Sequence, residues 1–439
     1  MVETALSKND LRQYFIEGCK KPGDLKVGVE WEKIGVYKDS ARAIAYSGPR
    51  GVAAIFKELI KKFRWEPVFL GSHITALRKD ESSITLEPGG QIELSGRKAL
   101  TLDENASELL THLKEIEAVS EPLGIVWLGI GLQPVSKVDE IEWVPKERYA
   151  IMQDALKNKG TLTYCMMKQT ASIQISLDYT SERDAGEKLR LAMGLSPILS
   201  ALFSNSPVWE GRLNGFYTKR ADIWLHTAPE RTGIIPAAFE DGFGFDGYIE
   251  YALGVPMLFI VRQGKWIPMN GMTFNEFLKK GLAYYHATPA DWDLHLTTIF
   301  TEARLKKYLE VRSMDCQQAE LGLSIPALLK GLFYDDASRK KAWELVADLS
   351  IEERKKLAAS VPQNGLKTKF KGKTLHEPAL ELLKLGEEGL RGDEAKYLRP
   401  LKKLLVERKV SPAEALLECL NKNATQKELA QRVLTCAAI

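Results

Sequence analysis

The sequence predicts an α+β fold: an antiparallel sheet with one apolar and one polar face, helices against the apolar face, and a helical C-terminal region. Three observations carry this prediction. Four short runs alternate apolar and polar residues with a period of two. Beyond about residue 320 the chain turns rich in Leu, Lys, Glu and Ala, with apolar residues at steps of three and four. A chain of 439 residues with 45% hydrophobic and 27% charged content is long enough to bury a sizeable core. The change of texture sets an expected boundary between a catalytic unit at 1–320 and a helical region at 321–439 packed on it.

The first alternating run is VGVEWEKIGV (27–36), which puts Val27, Val29 and Trp31 on one face and Gly28, Glu30 and Glu32 on the other. A helix follows at 51–63. SITLEPGGQIELSG (83–96) repeats the alternation after a Pro-Gly-Gly break that re-aims Glu87, with Ile92 and Leu94 opposite Gln91, Glu93 and Ser95. Helices are expected at 103–120 and 182–203, the second kinked or split at Pro197. Between them ASIQISL (171–177) sets Ile173 and Ile175 against Ser172, Gln174 and Ser176. YLEVR (308–312) then sets Leu309 and Val311 against Tyr308, Glu310 and Arg312. Helical spacing marks 323–333, 338–348, 377–390, 394–408 and 412–420, and Ser411 followed by Pro412 reads as an N-cap with Pro at the first helical position. The Lys-rich LKTKFKGK (366–373) reads as a solvated linker.

The net charge of +3, without a concentrated basic block, argues against nucleic acid as a partner. No stretch approaches the ~20 apolar residues that span a bilayer, so no membrane partner is expected, and the start has no apolar h-region. Five scattered cysteines (Cys19, Cys165, Cys316, Cys419, Cys436) without a CxxC pair read as reduced thiols.

If the four runs share one sheet, its polar face gathers Glu30, Glu32, Glu87, Glu93, Gln174 and Glu310. Oxygen donors without Cys or His suit Mg2+ or Mn2+, and several carboxylates suggest more than one ion. Mg2+ held by few carboxylates completes its shell with phosphates, so a nucleoside triphosphate such as ATP fits such a cleft. The competing reading is an ordinary wet sheet face whose Glu residues pair with Lys or Arg across strands. Arg148, Arg220, Arg304 and Arg312 carry the planar fork that binds carboxylate or phosphate, although each alone also reads as an ion-pair residue. GFGFDGYIEYALGVP (242–256) is no P-loop, and the six His residues carry no GxSxG or HExxH context; His295 reads as a core or helix-cap residue.

The strings VGVEWEKIGV, ITLEPGGQIELSG, LGIGLQP, ALFSNSPVWEG, NGFYTKRADIW, ERTGIIP, VPMLFIVR, MTFNEFL and HLTTIFTEARLKKYLEVR together resemble the plant-type glutamate–cysteine ligase family, in order from about residue 10 to 336. A weaker echo runs through LKTKFKGK and VSPAEALLE. The resemblance implies a glutamine-synthetase-like carboxylate–amine ligase core, a curved antiparallel funnel with helices outside. It implies ATP-dependent joining of L-glutamate to L-cysteine, with Mg2+ held by Glu30, Glu32, Glu87, Glu93 and Glu310. It further places Gln174 beside metal and phosphates, Arg148 and Arg220 on glutamate with Trp224 nearby, and Arg304 and Arg312 on phosphate.

Two departures stand out. Leu258 replaces a Tyr that lies near the amine substrate in plant members, which leaves a γ-glutamyl ligase for another amine as the alternative. Ala106 and Ala171 stand where plant members carry regulatory cysteines, so no plant-style thiol switch is expected. The chain starts near the family's conserved start without a long transit segment, which leads to the expectation of a cytoplasmic enzyme. A non-catalytic glutamate- or nucleotide-binding relative and a metal-dependent phosphohydrolase are the readings from other classes, and monomer and homodimer both stay open.

Overall fold

In the computed structural model, residues 6–421 and 424–439 are described. Seven strands enter the main sheet in the first half of the chain: β1 (Val27–Tyr37), β2 (Glu66–Leu70), β3 (His73–Lys79), β4 (Ser82–Leu86), β5 (Ile92–Ser95), β6 (Ile125–Leu128) and β7 (Ser172–Leu177). The Ala303–Leu305 and Leu309–Asp315 strands complete it. Beginning with those last two, the order continues through β7, β1, β5, β4, β3 and β2, with β6 on the far half of β1. Every pairing in this sheet is antiparallel. The four alternating runs therefore fall in one sheet, as their shared pattern predicts.

Register decides what meets on the polar face. Glu30 lies opposite Ser95 on β5 and Gln174 on β7, Glu32 lies opposite Glu93, and Glu310 pairs with both Ser176 and Arg304. On the reverse face Val27, Trp31, Ile173, Ile175 and Val311 are buried. That face is covered by the Ser324–Tyr334 helix against β1 and β7 and by the Glu182–Leu202 helix against the Leu309–Asp315 strand. Trp31 rests on the backbone at Gly322, and the Ser324–Tyr334 and His376–Gly389 helices cross so closely that a Cβ at Gly331 would overlap the Gly386 carbonyl.

The Glu182–Leu202 helix is not split at Pro197. A proline there removes the hydrogen bond to the Met193 carbonyl, and the Ser196 hydroxyl donates to that carbonyl instead at 2.9 Å. Dense burial on all sides holds the helix together. The Ser411 cap forms as expected: Ser411 N–H donates to Glu414 and Glu414 N–H donates to the Ser411 hydroxyl. Two helices that sequence periodicity missed, Ile351–Asn364 and Gln426–Cys436, complete the C-terminal region. The run at 394–408 is a 3-10 turn, a short α-helix and a π-helix over Lys403–Arg408 rather than one helix. Lys367, in the supposed linker, pairs with Glu414 at 2.7 Å, and the following residues form a small hairpin.

The cysteine expectation needs correction. Cys419 and Cys436 form a disulfide with Cα atoms 6.2 Å apart, because the Pro412–Cys419 and Gln426–Cys436 helices fold back on one another. Cys19, Cys165 and Cys316 are free thiols. Among the described residues no helix is long and apolar enough to cross a membrane.

His295 sits in the last turn of the Pro289–Leu296 helix, buried, with Nε2 2.8 Å from the Ala252 carbonyl. Burial pushes its pKa down from 6.5 to about 4, and burial lowers that of His112 as well. Both stay neutral in the folded chain while an unfolded chain protonates them below about pH 6.5. The His295 contribution is therefore intact above pH 6.5 and is lost as pH falls toward 4, and that of His112 falls in the same direction. Urea unfolding should show wild type losing about 2 kcal/mol to His295 between pH 7.5 and 5. A His295→Leu variant, less stable at pH 7.5, should show a flatter pH profile; parallel profiles would exclude this role.

Candidate active site

The polar face of the sheet forms the floor of a cleft of about 310 Å3. β1 supplies Glu30 and Glu32, β5 supplies Glu93, and the turn after β4 supplies Glu87. That turn is tied at both ends: Glu87 N–H donates to the Gln91 carbonyl, Gly90 N–H to the Glu87 carbonyl, and Gly89 N–H to the Gln91 side chain. Gly90 takes φ +85°, a conformation that favours glycine. The Gln91 amide in turn donates to the Thr170 carbonyl, so the turn is anchored to the segment that enters β7. This is how the Pro-Gly-Gly break aims Glu87 into the cleft.

The four carboxylates are crowded, and among the described residues none of them makes a direct ion pair with the cations that share the cleft. Glu32 accepts from Ser172 N–H at 2.6 Å and from the Gln174 amide at 2.9 Å. Burial, with Glu87 and Glu93 adding to it, still pushes its pKa up to about 8. Glu30 is raised well above the carboxylate range by burial and by Glu310 and Glu93, and Glu87 is raised by burial and Glu93. Glu93 accepts from the Thr85 and Ser95 hydroxyls.

Glu310 behaves differently. Burial alone would raise its pKa, but Arg304, Arg312 and Lys306 hold it well below the usual range. Its Oε2 lies 2.6 Å from Arg304 and 2.8 Å from Arg312, and its Oε1 has no hydrogen-bond partner. Arg312 also donates to the Gln174 side chain. Arg304 donates to the Thr297 and Ile299 carbonyls.

The remaining cations face the acidic strip. Arg148, at the start of the Glu147–Leu156 helix, lies 5.7 Å from the Tyr149 ring, 5.6 Å from Phe259 and 5.7 Å from Trp266. Its Nε is buried without a partner. Arg220 is buried in the Lys219–Leu225 helix, donates to the Arg312 carbonyl at 2.9 Å and lies 3.7 Å from Asp315. The Arg220 Nε and the Trp224 indole N–H have no partner. Unpaired buried donors along one wall are what an acidic ligand would satisfy.

Of the residues singled out in the sequence, all line this cleft except Glu310 and Leu258. Glu310 lies beneath the two arginines that cover it. Leu258 is a correction: it is 2% exposed in the core, with its carbonyl accepting from Met269 N–H. Its chain neighbour Phe259 faces Arg148, and adjacent residues of extended chain point opposite ways.

Sequence reasoning missed Lys146, Lys306 and Asp315. Lys146 and Lys306 line the cleft, and burial lowers the Lys146 pKa to about 8. Both lie two residues from arginines already chosen, a signal that was available. Asp315 accepts from Asn205 N–H, Ser206 Oγ and Thr218 Oγ1 at 2.7–3.0 Å while holding Arg220. A register shift between Val311 and Met314 breaks the alternation before Asp315 and hides it from a period-two reading. Among the described residues, no group of three or more His, Cys, Asp or Glu side chains is placed to hold a metal ion.

A family model described as glutamate-cysteine ligase family 2 (GCS2) matches residues 26–435. The chain is 42% identical over 422 residues to the chloroplastic glutamate–cysteine ligase of Arabidopsis thaliana, covering 95% of this chain and 80% of that protein. It is 40% identical to the chloroplastic enzyme of Brassica juncea, covering 95% and 81%. These relatives are named as chloroplastic, so the expectation of a cytoplasmic enzyme is withdrawn. A crystal structure of glutamate–cysteine ligase from Francisella tularensis in complex with AMP superposes with a TM-score of 0.56 at 13% identity, covering 95% of this chain and 89% of that one, which is a likeness of fold. With the order of the motifs, the sheet and the acidic cleft all in agreement with that match, the chain belongs to glutamate-cysteine ligase family 2.

Proposed function

We propose that this protein is a glutamate–cysteine ligase, joining the γ-carboxylate of L-glutamate to the amine of L-cysteine with conversion of ATP to ADP and phosphate. The product, γ-glutamylcysteine, is the first intermediate of glutathione synthesis. The observation that carries the reading is one cleft, in a chain of this family, where Glu30, Glu32, Glu87 and Glu93 face Arg148, Arg220, Arg304 and Arg312. Every residue that lines it precedes residue 320, which supports assigning catalysis to that part of the chain.

In the first step the γ-carboxylate oxygen attacks the γ-phosphorus of ATP, giving an acyl phosphate and ADP. In the second the cysteine amine attacks the acyl carbon and phosphate leaves. No covalent bond to the protein is needed, which fits a cleft without a nucleophile and its base. The protein contributes position and charge. Arg220, oriented by Asp315, presents its fork to the glutamate carboxylate with Trp224 beside it. Arg148 lines the same cleft and adds a second cation to the anion-binding pocket. Arg312 and Arg304 meet the phosphate end, where Gln174 orients Arg312.

Glu30, Glu32, Glu87 and Glu93 are the residues that would hold Mg2+, more than one ion being expected from their number. What supports this is their crowding: burial, with neighbouring carboxylates adding to it, raises the pKa of Glu30, Glu32 and Glu87, and such a cluster gains from a hard cation with oxygen preference. Bound Mg2+ would neutralise phosphate oxygens, and the triphosphate would complete the coordination that the side chains leave open.

Incubation with ATP, Mg2+, L-glutamate and a panel of amines, followed by mass spectrometry and phosphate assay, should give γ-glutamylcysteine as the dominant product. Phosphate release without glutamate would point to a phosphohydrolase instead. Glu30→Gln and Glu93→Gln should each abolish ligation while raising or preserving Tm, since each removes charge from a repelling cluster; wild-type turnover in either would remove that residue from the metal set. Arg220→Ala should weaken glutamate by about 2–5 kcal/mol, read as a raised half-saturating concentration. Asp315→Asn should act in the same direction and less strongly, and unchanged glutamate dependence in Arg220→Ala would refute the assignment.

A further inference from the structure

The C-terminal helices enclose a second cavity of about 760 Å3, which shares no lining residue with the catalytic cleft. Pockets for small organic ligands span roughly 300–1,000 Å3. Its floor is the Gln317–Leu321 segment, which leaves the Leu309–Asp315 strand and enters the short Ala319–Gly322 helix. One wall is the 399–408 run, and the facing wall is the Pro412–Cys419 helix with the chain end at Cys436–Ile439, so the disulfide borders the space.

Arg399, Lys403 and Arg408 line one wall. Arg399 and Lys403 are four residues apart and so share a helix face. The π-helix that begins at Lys403 brings positions five apart into line, which adds Arg408 to the same row. Like charges at this spacing oppose helix formation. Arg408 pairs with Glu418, whereas Arg399 and Lys403 have no carboxylate partner among the described residues. Glu320 is the sole side-chain carboxylate among the described lining residues, and the chain end at Ile439 borders the cavity as well.

The floor is tied to the strand beside it. Gln317 is fully buried, and its amide nitrogen donates to the Phe203 carbonyl at 2.7 Å and the Asp315 carbonyl at 3.1 Å. Leu321, Leu404 and Leu416 supply apolar wall.

Asp315, which lines neither cavity, lies between them. Asn205 and Gln317 line the second cavity; the Asn205 N–H donates to the Asp315 carboxylate and the Gln317 amide to the Asp315 carbonyl. Asp315 in turn lies 3.7 Å from Arg220 in the cleft.

We propose that this cavity is a regulatory site for a small organic anion with an apolar body, and that its occupancy reaches Arg220 through Asp315. The acid group sits on Arg399 and Lys403, and the apolar body against the leucines. Binding itself stands apart from the ligase reading; the effect on glutamate rests on it.

The test uses the full chain and 8-anilinonaphthalene-1-sulfonate, an apolar sulfonate, as the probe. Fluorescence titration without substrates should show one saturable site, weakened at least tenfold in an Arg399→Ala/Lys403→Ala double variant and retained in Arg399→Lys/Lys403→Arg. ATP, Mg2+ and L-glutamate together should not displace it. Absence of saturable binding, equal binding in the double alanine variant, or displacement by the substrates would overturn the site. With the probe bound, the half-saturating glutamate concentration should shift at least threefold in wild type and stay constant in the double alanine variant. An unshifted value in a wild-type protein that ligates normally would overturn the coupling, while absence of ligation altogether would count against the ligase reading and leave the binding result standing.

Discussion

Mutual repulsion among buried carboxylates is the constraint around which this molecule is arranged. Glu32 and Glu93 face each other across two paired strands, and Glu30 and Glu87 lie in the same cleft. Water cannot screen such a group inside a sheet, so burial drives Glu30, Glu32 and Glu87 toward protonation and neighbouring carboxylates reinforce it. A fold that keeps this strip must fix the strands by something other than the strip itself. The reverse face does so, with Trp31, Ile173, Ile175 and Val311 under the Ser324–Tyr334 and Glu182–Leu202 helices. Hydrophobic burial on one side holds in place an arrangement that electrostatics on the other side opposes.

The arginines resolve the rest of the charge in two ways. Arg304 and Arg312 close over Glu310 and neutralise it, leaving that carboxylate as a support for two cations rather than as part of the open acidic surface. Arg148 and Arg220 each keep an unpaired nitrogen; Arg148 is surrounded by aromatic rings, while Arg220 is held by the Arg312 carbonyl and by Asp315. A cation fixed by π-faces, as Arg148 is, keeps its full charge for a ligand. The cleft thus separates an acidic strip suited to cations from a basic wall suited to anions, the division that a metal-nucleotide and an amino-acid carboxylate require.

The C-terminal helices take part in this arrangement through packing. Gly322 receives Trp31, and the close crossing at Gly331 and Gly386 fixes the layer that backs the sheet. The same region ends on β6, where Gly129 N–H donates to the Ala437 carbonyl and Ile439 N–H to the Trp127 carbonyl. The end of the chain therefore completes one edge of β1's neighbour, and the Cys419–Cys436 link ties that end to the preceding helix.

Period-two alternation and family motifs placed Glu30, Glu32, Glu93 and Gln174 on one face, because side-chain direction along a strand is a local property of the chain. Helical spacing and the Ser411 cap were legible for the same reason. Other features depended on which segments meet. Glu87 reaches the cleft because a tied turn is anchored near Thr170, and Asp315 holds Arg220 because a register shift turns it toward Ser206 and Thr218. Leu258 lies in the core because its neighbour takes the place beside Arg148, and two cysteines far from any recognised pattern join because their helices fold back. The sequence by itself determined the strands, their faces and the kinds of charge they carry. Only the tertiary structure decided which charges are paired and which stay free, since pairing is set by register and long-range packing rather than by any window of the chain.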